Sequence, residues 1–119
     1  MSDTLLDDFE DLSRWSTVAS GLAVLELKQD AGQQGTALQL DFDFKGGAGF
    51  VVARREAALA LPEQYSFSFA VRGAGPPNNF EFKLADSAGH NVWWFRDDAF
   101  DFSPEWRRVR IRSSEIKFA

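Results

Sequence analysis

The chain has 119 residues, a length typical of one domain, and 45% hydrophobic residues with 12 Phe and 4 Trp, enough for one core. Its net charge of -5 argues against binding to a nucleic-acid backbone, because that requires a clustered cationic surface. The chain has no cysteine for disulfides or thiol chemistry, and it has no apolar run of membrane-span length. From length, charge and hydropathy together we expect one domain over residues 1–119, with neither nucleic acid nor a membrane as a partner.

Alternation of apolar and polar residues predicts strands, since successive side chains on a strand point to opposite faces. Near the start, residues 11–15 are expected to form one helical turn or a loop. The strands predicted after it are 23–28, 37–44, 49–55, 65–72, 79–85, 92–96 and 106–112. Residues 56–61 form the one other segment with helical character, and they are too few to change the fold class.

Seven strands without a long helix predict an all-β domain. Each alternating strand has one apolar face, so two antiparallel sheets must stack these faces against each other as a β-sandwich, which we expect to be a jelly roll. The expected core consists of Phe42, Phe44, Phe50, Phe67, Phe69, Phe80 and Phe82.

Several short motifs are spread along the chain. They are Asp7-Asp8-Phe9-Glu10 followed by Trp15, Gly35-Thr36-Ala37-Leu38-Gln39-Leu40-Asp41-Phe42, Phe82-Lys83-Leu84-Ala85-Asp86 with Gly89, and Trp106-Arg107-Arg108-Val109. With these motifs the chain resembles carbohydrate-binding modules of the galactose-binding-like jelly-roll type, namely the family 11 glucan-binding modules and the related domain of complex I intermediate-associated proteins. The resemblance implies a non-catalytic domain that binds a polysaccharide or oligosaccharide in a shallow cleft on one sheet face. Composition leaves the compartment undetermined, whereas the resemblance favours a secreted or periplasmic location.

The end of the chain departs from the family pattern. In the family, a last strand with an Asp that helps to hold a structural calcium follows a segment like residues 114–118, and here the chain stops at Ala119. The resemblance therefore implies that the domain is truncated or that another chain supplies this strand. The neighbouring strand would then be an open edge, which invites strand exchange or dimer formation.

The resemblance also implies a calcium site. It points to Glu10, with further oxygen donors from the turn around Asp30 and Gly35, and carboxylate and carbonyl oxygens are the ligands that calcium prefers. The alternative is that Asp7, Asp8 and Glu10 form a solvated acidic segment.

Sugar recognition needs flat aromatic faces together with planar amides, carboxylates and guanidiniums that bind pairs of hydroxyl groups. The candidate ligand-binding residues are Asp41, Asp43, Arg54, Glu81, Lys83, Trp94, Arg96 and Arg108. Arg54 joins them only if a bulge breaks its phase with Phe50. We prefer Trp94, beside Arg96, over Trp93 as the ring on this face, although the reverse phase and burial of both rings stay open. The alternative for the whole face is a solvated surface of ion pairs.

Two other functions stay open. A glycosidase would use Asp41 and Asp43, whose Cα atoms would lie about 7 Å apart on one strand. One of these acids would need a raised pKa, whereas Arg and Lys on the same face would lower it, so we expect no enzyme. The other alternative is a protein-interaction or assembly domain of the same fold that docks a partner through its sheet face or open edge. The single histidine, His90, excludes a His cluster for zinc.

Overall fold

The computed structural model describes residues 3–119 and shows an all-β chain built from antiparallel strand pairs. The chain forms two compact units: unit 1 ends at Leu59, and unit 2 spans Ala60–Ala119. Within the described range, the helical structure is limited to one 3₁₀ turn at Ser113–Glu115. A search of residues 3–119 finds no helix with the length and apolarity needed to cross a bilayer. The single domain expected over residues 1–119 stays a prediction.

Unit 1 consists of two antiparallel strand pairs. Its strands are β1 (Trp15–Ala19), β2 (Val24–Ala31), β3 (Thr36–Asp43) and β4 (Val51–Arg55). β1 pairs with β4, and β2 pairs with β3. In the β2–β3 turn the N–H of Gly32 donates to the carbonyl of Gly35 at 2.8 Å, and Gly35 has a φ of 63°, which glycine adopts without strain. This tight turn sets the register of the hairpin.

Unit 2 contains two antiparallel sheets with aromatic side chains between them. Its strands are β5 (Ser66–Val71), β6 (Asn78–Ala85), β7 (Val92–Phe100), β8 (Arg107–Arg112) and β9 (Lys117–Phe118). β5 pairs with β8, while β7 lies between β6 and β9. The ring of Phe82 lies 5.1 Å from that of Phe67 and stacks on Phe69 at 6.0 Å. Phe67, Ile111 and Ile116 are buried in the resulting core.

The seven predicted strands are confirmed as β2 to β8, with shifted ends. β7, for example, continues to Phe100 instead of ending at Arg96. The prediction missed β1, whose sequence does not alternate between apolar and polar residues, and β9, which has only two residues. Residues 11–15 form a turn, closed by a hydrogen bond of 3.0 Å from the N–H of Trp15 to the carbonyl of Leu12. Residues 56–61 have no regular structure, so the helical character predicted for them is wrong.

The expected core is confirmed in unit 2 and wrong in part of unit 1. Phe67 is 8% exposed, whereas Phe42 is 40% and Phe50 is 52% exposed. The remaining four phenylalanines of the expected core are half-buried: Phe44, Phe69, Phe80 and Phe82. Among the residues that the structure describes, every buried hydrophobic side chain belongs to unit 2. An apolar strand face is buried only where another layer covers it, and alternation along one strand does not reveal that layer.

Candidate functional site

Four of the eight predicted ligand-binding residues meet on the outward face of β6 and β7. Glu81 lies directly opposite Arg96, and Lys83 lies directly opposite Trp94. Directly opposed residues of antiparallel strands project to the same side of the sheet, so these four side chains share one surface. They alternate with three side chains that pack against the core: Phe82, Leu84 and Phe95. We call the surface formed by Glu81, Lys83, Trp94 and Arg96 the Trp94 face.

Charged groups hold each other in place around the half-buried indole ring of Trp94. The guanidinium carbon of Arg96 lies 4.9 Å and the Nζ atom of Lys83 lies 5.4 Å from the ring centroid. The carboxylate of Glu81 joins both cations, at 3.2 Å to Lys83 Nζ and 3.4 Å to Arg96 Nε. Asp98 accepts a hydrogen bond of 3.0 Å from Arg96 Nη2. An aromatic ring is thus surrounded by oriented donors and acceptors.

Lys117 of β9 adds a cation that sequence reasoning missed. Lys117 lies directly opposite Trp94 in the pairing of β7 with β9. β9 flanks β7 on the side away from β6. Trp94 therefore lies between Lys83 on one neighbouring strand and Lys117 on the other. The alternation of Ile116, Lys117 and Phe118 is a signal for this strand, but three residues are too few to predict one.

The structure places the two neighbouring tryptophans on opposite faces of β7. Trp93 lies opposite Leu84 of β6 and Phe118 of β9, with its ring 5.6 Å from that of Phe118. It belongs to the apolar side of the sheet, yet it remains 38% exposed. Trp94 lies with the polar side chains, which is the phase preferred from the sequence.

Arg108 does not join the Trp94 face. It lies on β8 opposite Ala70, and its Nη2 atom donates to the Ser68 hydroxyl at 3.3 Å. Its neighbours Val109 and Ile111 belong to the core that the β5–β8 pair shares with β6. Arg108 therefore projects from the outer surface of the other sheet of unit 2, away from Trp94.

Asp41 and Asp43 belong to unit 1 and are engaged locally. Lys28 Nζ lies 3.0 Å from Asp41 Oδ2, and the Gln39 amide donates to the other oxygen of Asp41 at 3.0 Å. The hydrogen bond from Lys28, followed by that from Gln39, holds the pKa of Asp41 below its ordinary value. Asp43 accepts a hydrogen bond of 2.7 Å from the N–H of Lys45. A general acid needs a raised pKa, so the shift of Asp41 is opposite to that role.

Arg54 lies on an apolar side of its strand, β4, as strict alternation predicts. The β1–β4 register is regular from Trp15 opposite Arg55 to Ala19 opposite Val51. Because side chains alternate along β4, Arg54 projects to the same side as Val52. β4 therefore contains no bulge that would turn Arg54 to the opposite side of the strand, which its predicted role in ligand binding requires.

Glu10 and Asp30, predicted to bind calcium, line the same open depression in unit 1, together with Gln29, Gly35 and Thr36. The hydroxyl of Thr36 donates to a carboxylate oxygen of Glu10. The Gln29 amide donates to the carbonyls of Phe9 and Glu10, at 2.9 Å each. The surface is rich in oxygen donors, but residues 3–119 contain no group of three or more acidic, His or Cys side chains placed to hold a metal.

Comparison of the chain with protein family models, with curated proteins and with solved structures finds no match.

Proposed function

We propose that this chain is a non-catalytic carbohydrate-binding domain, a jelly-roll β-sandwich whose Trp94 face binds a polysaccharide or oligosaccharide in a shallow cleft. The observation that supports this most is the indole of Trp94 beside Lys83, Arg96 and Glu81. The C–H surface of a sugar packs against a flat aromatic ring, while guanidinium and carboxylate groups bind its hydroxyls through charge-assisted hydrogen bonds. The antiparallel all-β architecture is compatible with a sandwich fold.

The cations beside the ring do not prevent a sugar from stacking on it. A cation–π contact at an exposed site contributes about 0.5–1 kcal/mol, which a packed sugar ring can replace. The face is shallow and solvated, so we expect modest affinity, because ordering the ligand offsets much of the contact energy. The domain in this proposal retains a glycan and does not cleave it.

Affinity electrophoresis in gels that contain soluble polysaccharides tests the proposal. Trp94→Ala is expected to remove the retardation by the ligand glycan, while circular dichroism shows an unchanged fold. Arg108→Ala is the matched control, since Arg108 lies on the outer surface of the other sheet, and it is expected to be retarded like the unchanged chain. Equal retardation of Trp94→Ala and the unchanged chain would remove the Trp94 face from the proposal.

A structural calcium ion belongs to the proposal as an implied component of unit 1. Glu10 and Asp30 would hold it, with the Thr36 hydroxyl as a neutral oxygen ligand, and an oxygen donor set suits calcium. Calcium is then expected to raise the melting temperature relative to EDTA, and Glu10→Gln is expected to abolish this difference. An identical melting temperature in calcium and EDTA for the unchanged chain would exclude the ion.

The second candidate function is assembly with another copy of the chain through the β9 edge. The edge carries exposed apolar rings, with Phe118 63% exposed and in contact with Trp93. The unpaired backbone groups of an edge strand can pair with a strand of a second copy, and exposed apolar side chains favour this. Sedimentation at increasing protein concentration is expected to show a dimer that Phe118→Asp dissociates. A monomer at all concentrations would exclude this function.

A further inference from the structure

The Trp94 face is locally cationic in a chain whose net charge is -5. Lys83 and Lys117 flank Trp94 on the two neighbouring strands, and Arg96 follows two residues along β7. Two cations thus contact one aromatic ring, and a third lies on the neighbouring strand directly opposite it.

The acidic groups of this surface neutralise one side of it. Glu81 contacts both Lys83 and Arg96, and Asp98 contacts Arg96. No acidic side chain of the described residues forms an ion pair with Lys117, which is exposed. Three cations face two carboxylates, and the excess positive charge lies on the β9 side of the ring.

From this distribution we infer that the ligand is an anionic glycan, whose sugar ring stacks on Trp94 and whose carboxylate or sulfate group binds Lys117. This inference rests on the proposed carbohydrate-binding function and adds the chemical class of the sugar. The ammonium group of Lys117 forms a hydrogen bond with a hydroxyl, but with a carboxylate or sulfate it forms a hydrogen bond and an ion pair together, so an acidic sugar gains more from it. A neutral glucan leaves the ammonium group without a counter-charge.

Isothermal titration calorimetry of the full chain at low salt tests this, with polygalacturonate (carboxylates only), carrageenan (sulfates only) and a neutral β-glucan as ligands. The anionic polymers are expected to bind more tightly than the neutral one, and the two anionic arms separate carboxylate from sulfate. Lys117→Gln is expected to lower the affinity for the anionic polymers by about tenfold, because a hydrogen bond to a charged group is lost. The affinity for the neutral glucan is expected to stay unchanged. Lys117→Arg is expected to retain most of the binding.

Two controls separate a specific site from general charge attraction. Lys45→Gln removes a lysine of unit 1, next to Asp43, and is expected to have little effect. Trp94→Ala is expected to abolish binding of the anionic polymers, whereas non-specific attraction would survive it. Polyanion binding that persists in Trp94→Ala, or that Lys117→Gln does not weaken, would overturn the inference.

Failure of the inference is distinguishable from failure of the proposed function. If the neutral glucan binds as tightly as the anionic polymers and Trp94→Ala abolishes both, the anionic ligand is wrong and the carbohydrate-binding function holds. If none of the glycans binds, both are wrong.

Discussion

Units 1 and 2 are both built from antiparallel strands with alternating side chains, yet they bury those side chains differently. In unit 2, Phe67 and Ile111 on one sheet face Phe82 on the other, and the core is closed. In unit 1, Leu40 and Phe42 alternate with polar residues just as regularly but remain exposed. The comparison teaches that alternation specifies a strand with an apolar face, whereas burial of that face requires a second layer from elsewhere in the chain.

The units also differ in the contacts that hold them. Unit 1 depends visibly on polar contacts with its N-terminal segment. Asp7 accepts a hydrogen bond of 2.9 Å from the indole N–H of Trp15 and forms an ion pair of 3.5 Å with Arg55. Arg55 in turn donates to the carbonyl of Leu6 at 2.9 Å. Unit 2 is held mainly by ring packing, which is non-directional and roughly proportional to buried area.

The largest expected effect comes from truncating the same residue type in each unit. Phe67→Ala is expected to lower the free energy of unfolding by about 3–5 kcal/mol, because it opens a cavity in a closed core. Phe42→Ala is expected to cost about 1 kcal/mol or less, because its ring is already partly solvated. Urea denaturation of both variants measures the difference. Equal losses would show that the face of Phe42 is covered in solution and would break the comparison.

A smaller effect is expected from the polar anchor of unit 1. Asp7→Ala removes the acceptor of the Trp15 indole N–H and also the ion-pair partner of Arg55, whose buried Nε atom has no hydrogen-bond partner in the described structure. We expect a loss of about 2 kcal/mol in the free energy of unfolding, the usual cost of an unsatisfied buried polar group. Hydrogen exchange is expected to accelerate in β1 and β4 more than in β5 and β8.

The control for this prediction is Asp8→Ala. Asp8 is an exposed neighbour that accepts a hydrogen bond from the N–H of Glu10, so its loss should have a small effect. If Asp7→Ala accelerates exchange equally in β5 and β8, the two units do not respond separately, and the contrast between them is weaker than the contacts indicate.

The smallest effect concerns one hydrogen-bonded carboxylate in each unit. Asp86 in unit 2 accepts a hydrogen bond from the side chain of Asn91 and others from backbone N–H groups, and these hold its pKa below the ordinary value of 3.8. Asp41 in unit 1 has a pKa lowered chiefly by Lys28. Because both folded-state pKa values are lowered, each contribution is complete above the unfolded-state pKa and is lost as the pH falls through the folded-state value.

Salt separates these two carboxylates. Ions screen the exposed pair of Asp41 and Lys28, whereas the partners of Asp86 are neutral amides. The measurement is the melting temperature of Asp41→Asn, Asp86→Asn and the unchanged chain from pH 2 to 7, with and without added NaCl. We expect NaCl to reduce the change in melting temperature caused by Asp41→Asn and to leave the change caused by Asp86→Asn as it is. The same salt response for both would contradict this assignment of causes.

Strand positions were predictable from local patterns, and most of the proposed site was named with them. Glu81, Lys83, Trp94 and Arg96 came from alternation along β6 and β7, and the register then brought them together. Lys117 was missed because β9 exists only through its pairing with β7, which short local patterns do not reveal. Arg108 has the correct outward phase on its strand but lies on the other sheet, since phase does not specify which sheet a strand joins.

The sequence by itself determined the all-β class, seven of the strands and the side of each strand that is apolar, because a strand repeats every two residues and this period is local. Only the tertiary structure decided that Phe67 is buried while Phe42 is exposed, and that Trp94 lies between two lysines from separate strands. Those outcomes depend on pairing and layering of segments far apart in the chain, which no local repeat contains.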